Sequence, residues 1–97
     1  MPKELEDIGL SEKEAKVYLA NLELGGSSAS DIAIKSNLPR TLVYDILERL
    51  IELGRISYAI KDNKKTFIAS DPKEFIRILN EKEKAVHSIL PSLENLQ

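Results

Sequence analysis

The stretch Ser30-Asp31-Ile32-Ala33-Ile34-Lys35-Ser36-Asn37-Leu38-Pro39-Arg40-Thr41-Leu42-Val43-Tyr44-Asp45-Ile46-Leu47 decides the fold. Ile32 and Ala33 mark the inward side of a short helix, and Ser36-Asn37-Leu38 reads as a tight turn. Pro39 suits the first position of a second helix, where its missing N–H is not needed. In that helix Val43, Ile46, Leu47 and Leu50 recur at a period near 3.6, a buried stripe. Arg40, Thr41 and Tyr44 lie off the stripe at the helix start. Helix, turn and helix with such side chains leading is how a helix-turn-helix meets the DNA major groove. The segment predicts a nucleic-acid reader.

Working outward, Ser11-Glu12-Lys13-Glu14 has the form of a capping box, with Leu10 and Ala15 placed for a hydrophobic staple. Ala15, Tyr18, Leu19 and Leu22 continue at helical spacing, predicting a helix over about residues 11–24 that Gly25-Gly26 ends. Leu5 and Ile8 suggest a short amphipathic turn before it. Ser28 and Asp31 cap the helix that runs to about Ser36, and Gly54 stops the second motif helix. Beyond it the period changes to two. Ile56, Tyr58 and Ile60, then Phe67 and Ala69, alternate with polar or small neighbours across the loop Lys61-Asp62-Asn63-Lys64-Lys65, which reads as a β-hairpin with a lysine-bearing tip. Asp71-Pro72 starts a last helix. There Phe75, Leu79, Lys82, Val86, Ile89, Leu93 and Leu96 alternate steps of four and three, a heptad seam interrupted by Lys82. Pro91 removes the bond to the His87 carbonyl and should kink or split that helix.

The predicted fold class is mainly α with a small β-hairpin (α+β). It consists of a winged helix-turn-helix over residues 1–71, followed by a C-terminal coiled-coil-like dimerisation helix over residues 72–97. The apolar stripe of the last helix admits packing on the domain's own helices near Phe75, Ile76 and Ile78. Farther along it narrows to a coiled-coil width. Phe75, Leu79, Val86, Ile89, Leu93 and Leu96 are therefore the expected dimerisation residues. A dimer would present two reading helices about one DNA turn apart, on a near-palindromic operator.

Composition bounds these readings. A chain of 97 residues is one domain with an appendage. No apolar run approaches the roughly 18 residues of a membrane span, and the N-terminus lacks the apolar core of a signal peptide. There is no cysteine, and the expected location is cytoplasmic. The net charge of −2 runs against the basic footprint expected of a DNA binder. Its distribution answers in part: residues 31–66 carry seven basic and five acidic side chains, a net of +2, whereas residues 1–30 sum to −3 and residues 67–97 to −1. That balance also suits an alternative, a winged-helix protein-interaction or adaptor module of the transcription machinery without sequence-specific DNA binding. Catalysis has little to stand on. His87 is the single histidine, the carboxylates are spaced to pair with Lys and Arg on helix faces, and no glycine-rich phosphate loop occurs. Neither enzyme, metal site nor cofactor is expected.

The candidate DNA-binding residues are Ser28, Ser30, Lys35, Pro39, Arg40, Thr41, Tyr44, Lys61, Lys64 and Lys65. Arginine bonds guanine at two points, and threonine offers a hydroxyl or a methyl. Helix starts near Ser28 and Pro39 favour a phosphate oxygen, and the lysines neutralise backbone charge without selecting sequence. Plainer uses stand beside these: a solvated helix start for Arg40 and Thr41, ring packing for Tyr44, an edge-protecting turn for the hairpin lysines. Arg49, among Asp45, Glu48 and Glu52, suits a local ion pair.

Gly9-Leu10-Ser11-Glu12-Lys13-Glu14-Ala15-Lys16-Val17-Tyr18-Leu19-Ala20, Gly25-Gly26-Ser27-Ser28-Ala29-Ser30-Asp31-Ile32-Ala33 and Leu38-Pro39-Arg40-Thr41-Leu42-Val43-Tyr44-Asp45-Ile46-Leu47-Glu48-Arg49-Leu50, then Gly54 and Asp71-Pro72, resemble the TrmB family of transcriptional regulators. The likeness covers roughly residues 5–95. It implies a winged-helix DNA-binding domain and a dimerising helix, with Arg40, Thr41 and Tyr44 in the reading helix and residues 61–65 in the wing. Two departures stand out. Many members carry a Gly-Arg-Pro turn where this chain has Asp62-Asn63-Lys64-Lys65. Fuller members also continue into a sugar-binding effector domain, whereas this sequence stops at Gln97. A sugar or other small effector is expected only if a further C-terminal domain exists.

Overall fold

The computed structural model describes residues 2–97, and in it the polar signals at the helix ends are met by hydrogen bonds. A short α1 (Pro2–Asp7) leads into α2 (Glu12–Leu24). Ser11 caps α2: its Oγ accepts from the Glu14 amide at 3.1 Å while its own N–H donates to Glu14 Oε1 at 2.9 Å. Leu10 and Ala15, the two ends of the expected staple, are both buried. Gly25 then ends the helix at φ +76° and ψ −157°, a conformation essentially confined to glycine. In α3 (Ala29–Ser36) the Ser28 hydroxyl caps the Asp31 amide at 3.1 Å, and Asn37 closes the helix in the left-handed conformation.

The helix α4 (Arg40–Glu52) begins one residue later than its sequence suggests. Pro39 stands at its N-cap with extended ψ of 139°, not at its first helical position. The expected stripe is met in full, since Val43, Ile46, Leu47 and Leu50 are all buried. They join Ala15, Val17 and Tyr18 of α2 and Ile32 of α3 in the core. Leu22, expected inward on α2, is instead exposed, while Val17, Ala20 and Asn21 are buried. Because α2 packs against α1, α3, α4 and the second hairpin strand, its covered surface is wider than the one stripe the spacing marks.

Strands β1 (Ile56–Lys61) and β2 (Lys64–Ala69) pair antiparallel, with Ile56 opposite Ala69 and Lys61 opposite Lys64. The connection is shorter than the predicted five-residue loop. Asp62 and Asn63 alone make the turn, with φ of +51° and +62°. That pair of positive φ angles is what a type I′ turn needs, and its twist matches that of the strands, so Lys61, Lys64 and Lys65 are drawn into the ladder. Ile56 and Phe67 are buried, whereas Tyr58, opposite Phe67, and Ile60, nearer the tip, are exposed although alternation puts all four on one face.

Asn21 ties that base to α2. Fully buried, its Nδ2 lies 2.9 Å from the Phe67 carbonyl, 3.0 Å from Ser27 Oγ and 3.1 Å from the Gly25 carbonyl. Ser27 and Phe67 also exchange both backbone bonds, giving β2 a one-residue partner on its outer side.

The last helix, α5 (Glu74–Asn95), is continuous through Pro91 and not split there. A proline deletes one bond of the ladder while its φ still suits a helix, so the turns on either side carry the element across. Its attachment is at Phe75, whose ring stands edge-on to Tyr18 with centroids 5.3 Å apart. The Arg55 guanidinium lies over the Phe75 ring, 4.5 Å from its centroid. No residue of α5 is buried, and the molecule measures 53 × 27 × 22 Å. Among the described residues, no helix is long and apolar enough to cross a membrane.

Candidate nucleic-acid interface

The starts of α3 and α4 and the strand β2 converge on one cleft of about 480 Å³. Ser28, Ser30, Arg40, Tyr44, Lys64 and Lys65 line it, with Ala29 and Phe67 beside them. Six of the ten candidate DNA-binding residues thus meet at one place, brought there by three separate segments. The register explains the wing's share: Phe67 is anchored in the core, and Lys65 and Lys64 lie two and three residues away on the same strand.

The charged residues of this surface, Arg40, Lys64 and Lys65, are all cationic. Arg40 and Tyr44, four residues apart on α4, are joined by a hydrogen bond from Arg40 Nη2 to the Tyr44 hydroxyl at 3.1 Å. Lys65 Nζ sits 4.6 Å from the centre of the Tyr58 ring, a cation–π contact within the wing. The first turn of α4 has no acidic residue and no side-chain cap, so its leading N–H groups lack a side-chain acceptor. Such a helix start attracts an anion.

The remaining candidates lie elsewhere. Lys35 pairs with Glu23 of α2 at 3.2 Å and faces the groove between α2 and α3. Pro39 borders a shallow depression with Ala33, Ile34, Asn37 and Leu38. Thr41 is exposed on α4, and Lys61 is exposed at the wing tip; neither lines the cleft. Arg49 does form an ion pair, but with Glu14 of α2 at 3.8 Å and not with its helix neighbours. Glu14 thereby serves the capping box with one oxygen and Arg49 with the other.

Two features escape the sequence. The Arg40–Tyr44 pairing is one; its trace is the four-residue spacing on a single helix. Arg55 is the other. It follows a helix stop, where the sequence leaves its use open, yet it is 4% exposed, and among the described residues its Nε and Nη1 have no hydrogen-bond partner. Burial pulls its pKa below the ordinary arginine value, opposed by the charge of Tyr18.

Three helices with a hairpin packed on them, the third helix opening beside the hairpin, define a winged helix-turn-helix. The chain matches the family described as sugar-specific transcriptional regulator TrmB over residues 5–73 and belongs to it. It is 38% identical over 52 residues to the HTH-type sugar sensing transcriptional regulator TrmBL1 of Pyrococcus furiosus, covering 54% of this chain and 15% of that protein. In structure it is similar to TrmBL2, described as an archaeal chromatin protein with a novel mode of DNA binding, at a TM-score of 0.71 and 21% identity over 98% of this chain and 44% of that one. MepR of Staphylococcus aureus, solved in complex with DNA, shares the fold at a TM-score of 0.58 and 17% identity, with 98% and 87% coverage. The chain therefore spans under half the length of its TrmB-type relatives, and about a seventh of TrmBL1.

Proposed function

We propose that this chain is a sequence-specific, double-stranded DNA-binding transcriptional regulator acting as a homodimer in the cytoplasm. The observation that carries the reading is the cleft in which Arg40 and Tyr44 of α4 meet Lys64 and Lys65 of the wing and the hydroxyl-bearing start of α3. In this reading α4 lies in the major groove with Arg40, Thr41 and Tyr44 nearest the base edges, and the wing lies on the sugar-phosphate backbone. Ser28 and Ser30 add phosphate contacts, as do Lys61, Lys64 and Lys65. Lys35 is left a peripheral role, since Glu23 already neutralises it.

The DNA complex of MepR and the DNA binding stated for TrmBL2 support this use of the shared fold. The dimer is supported by α5, where Leu79, Val86, Ile89, Leu90, Leu93 and Leu96 remain exposed along the helix. A second copy on that stripe would set two reading helices on a near-palindromic operator. Residues 1–71 then act as the reading domain and residues 72–97 as the pairing helix. A sugar effector, as the family's description and TrmBL1 suggest, would belong to a domain following this one.

The test is a titration of the chain with duplexes selected from a randomised library, repeated across salt concentration. Binding should weaken with a log–log slope of about −0.9 per phosphate contact neutralised. Undetectable binding at low salt would overturn the proposal.

A further inference from the structure

Arg40 is a tethered side chain at the mouth of the cleft. Its Nη2 donates to the Tyr44 hydroxyl at 3.1 Å, and its guanidinium carbon stands 5.5 Å from the centre of the Tyr44 ring. Among the described residues no carboxylate forms an ion pair with Arg40, so the tyrosine is the side chain that holds it. A cation at the first position of a helix faces the positive end of the helix dipole. Pro39 adds no side-chain cap that would offset this. The arrangement is therefore costly for the isolated helix and favourable only toward an electron-rich partner.

We infer that Tyr44 is a positioning residue whose hydroxyl and ring hold the Arg40 guanidinium ready for one base pair, so that specificity at that pair belongs to the Arg40–Tyr44 unit and not to arginine alone. This rests on the reading of α4 as the base-reading helix and says what makes that reading selective. A free arginine gives up much rotamer freedom when it docks. One already tied to a neighbour has lost part of that freedom beforehand, which is the benefit of preorganisation. The bond to Tyr44 occupies a single N–H of Nη2. The other guanidinium donors suffice for the two-point contact with the O6 and N7 acceptors of guanine. The phenol accepts from Arg40 through its oxygen and keeps its own proton to donate.

The experiment uses the full chain and duplexes it selects from a randomised library at fixed salt. Each duplex is compared with versions in which single G·C pairs are replaced by A·T. Arg40→Ala identifies the pair that Arg40 reads, as the one where discrimination disappears. Tyr44→Phe keeps the ring and removes the acceptor; because Tyr44 is 43% exposed, the fold should tolerate it. The expected result is a loss of discrimination at that same pair on the order of tenfold. Discrimination at other pairs should be retained, and Tyr44→Phe should have no further effect once Arg40 is alanine. A merely structural tyrosine would instead weaken every duplex alike, and that result overturns the inference, as does additivity of the two substitutions. If Arg40→Ala changes discrimination nowhere, the reading of α4 fails and the inference fails with it. If Arg40 discriminates and Tyr44→Phe leaves it intact, only the inference falls.

Discussion

The lysines and the arginine of the cleft carry the same charge and are set up for different work. Among the described residues Lys64 makes no side-chain hydrogen bond or ion pair, whereas Arg40 is held by Tyr44. Replacing Arg40 by alanine should weaken a selected site by roughly 1–3 kcal/mol and relax its sequence, while Lys64→Ala should weaken all duplexes about equally and reduce the salt slope by about one. Binding isotherms on selected and scrambled duplexes would check this; equal, sequence-blind losses would remove Arg40 from base reading. A second prediction concerns Tyr18, buried under α5 with its hydroxyl donating to the Ser70 carbonyl at 3.0 Å. Burial raises its pKa above the ordinary 10.0, the Arg55 charge pulls the other way, and Asp71 adds to the rise. The folded state thus holds the phenolic proton more tightly than the unfolded chain. Its stabilisation is complete below the unfolded value and is lost as pH rises through the folded one. Tyr18→Phe should cost about 1 kcal/mol near neutral pH, where the hydrogen bond is intact. In denaturant titrations that gap should narrow above about pH 10. A constant gap would disprove the assignment. At this scale the sequence is a partial guide: the capping role of Ser11 and Glu14 is local and legible, but Lys35 meets Glu23, and Arg55 meets Phe75, only because distant segments pack together.

Periodicity makes whole elements easier to read than single side chains. The stripe of α4 is written at 3.6-residue spacing, and every member of it is buried. In the hairpin the alternation correctly assigns a face, but it carries no information on how far the core extends beneath that face. Ile56 is covered and Ile60 is not. The one-residue shift of Pro39 and the continuity of α5 through Pro91 have the same origin, since a proline marks a missing N–H and leaves the neighbouring turns to decide the helix's course. The wing's turn supplies the third prediction. Asn63 sits at φ +62°, where a β-branched residue is strained by about 1–2 kcal/mol. Asn63→Val should therefore fray the tip, seen as faster hydrogen exchange at the Lys61 and Lys64 amides that close the turn, with the thermal midpoint of the helical core nearly unchanged. A large fall in that midpoint would mean that the wing contributes to global stability.

For the whole molecule the deciding question is what covers α5. Its stripe is written clearly in the sequence, yet a stripe does not name its partner, and in the single chain Leu93 and Val86 are about half exposed. Under the dimer proposal, Val86→Glu and Leu93→Glu each place a charge on the pairing seam, so sedimentation should find monomers where the unaltered chain gives dimers. Affinity for a two-half-site duplex should fall by roughly 10²-fold or more as the linked second contact is lost. Dimers that persist in both variants would put the interface elsewhere. The division of labour within the hairpin has a longer reach. The core grips it at Ile56 and Phe67, and Asn21 grips the backbone there, while the strands beyond are answerable to solvent alone. Substitutions in the exposed outer wing should therefore have little effect on folding, and so the wing behaves as an exchangeable tool head on a fixed handle. Under the proposed function, replacing Lys61, Lys64 and Lys65 should therefore reset how tightly the wing holds the DNA backbone without disturbing the fold, and leave the choice of sequence to α4.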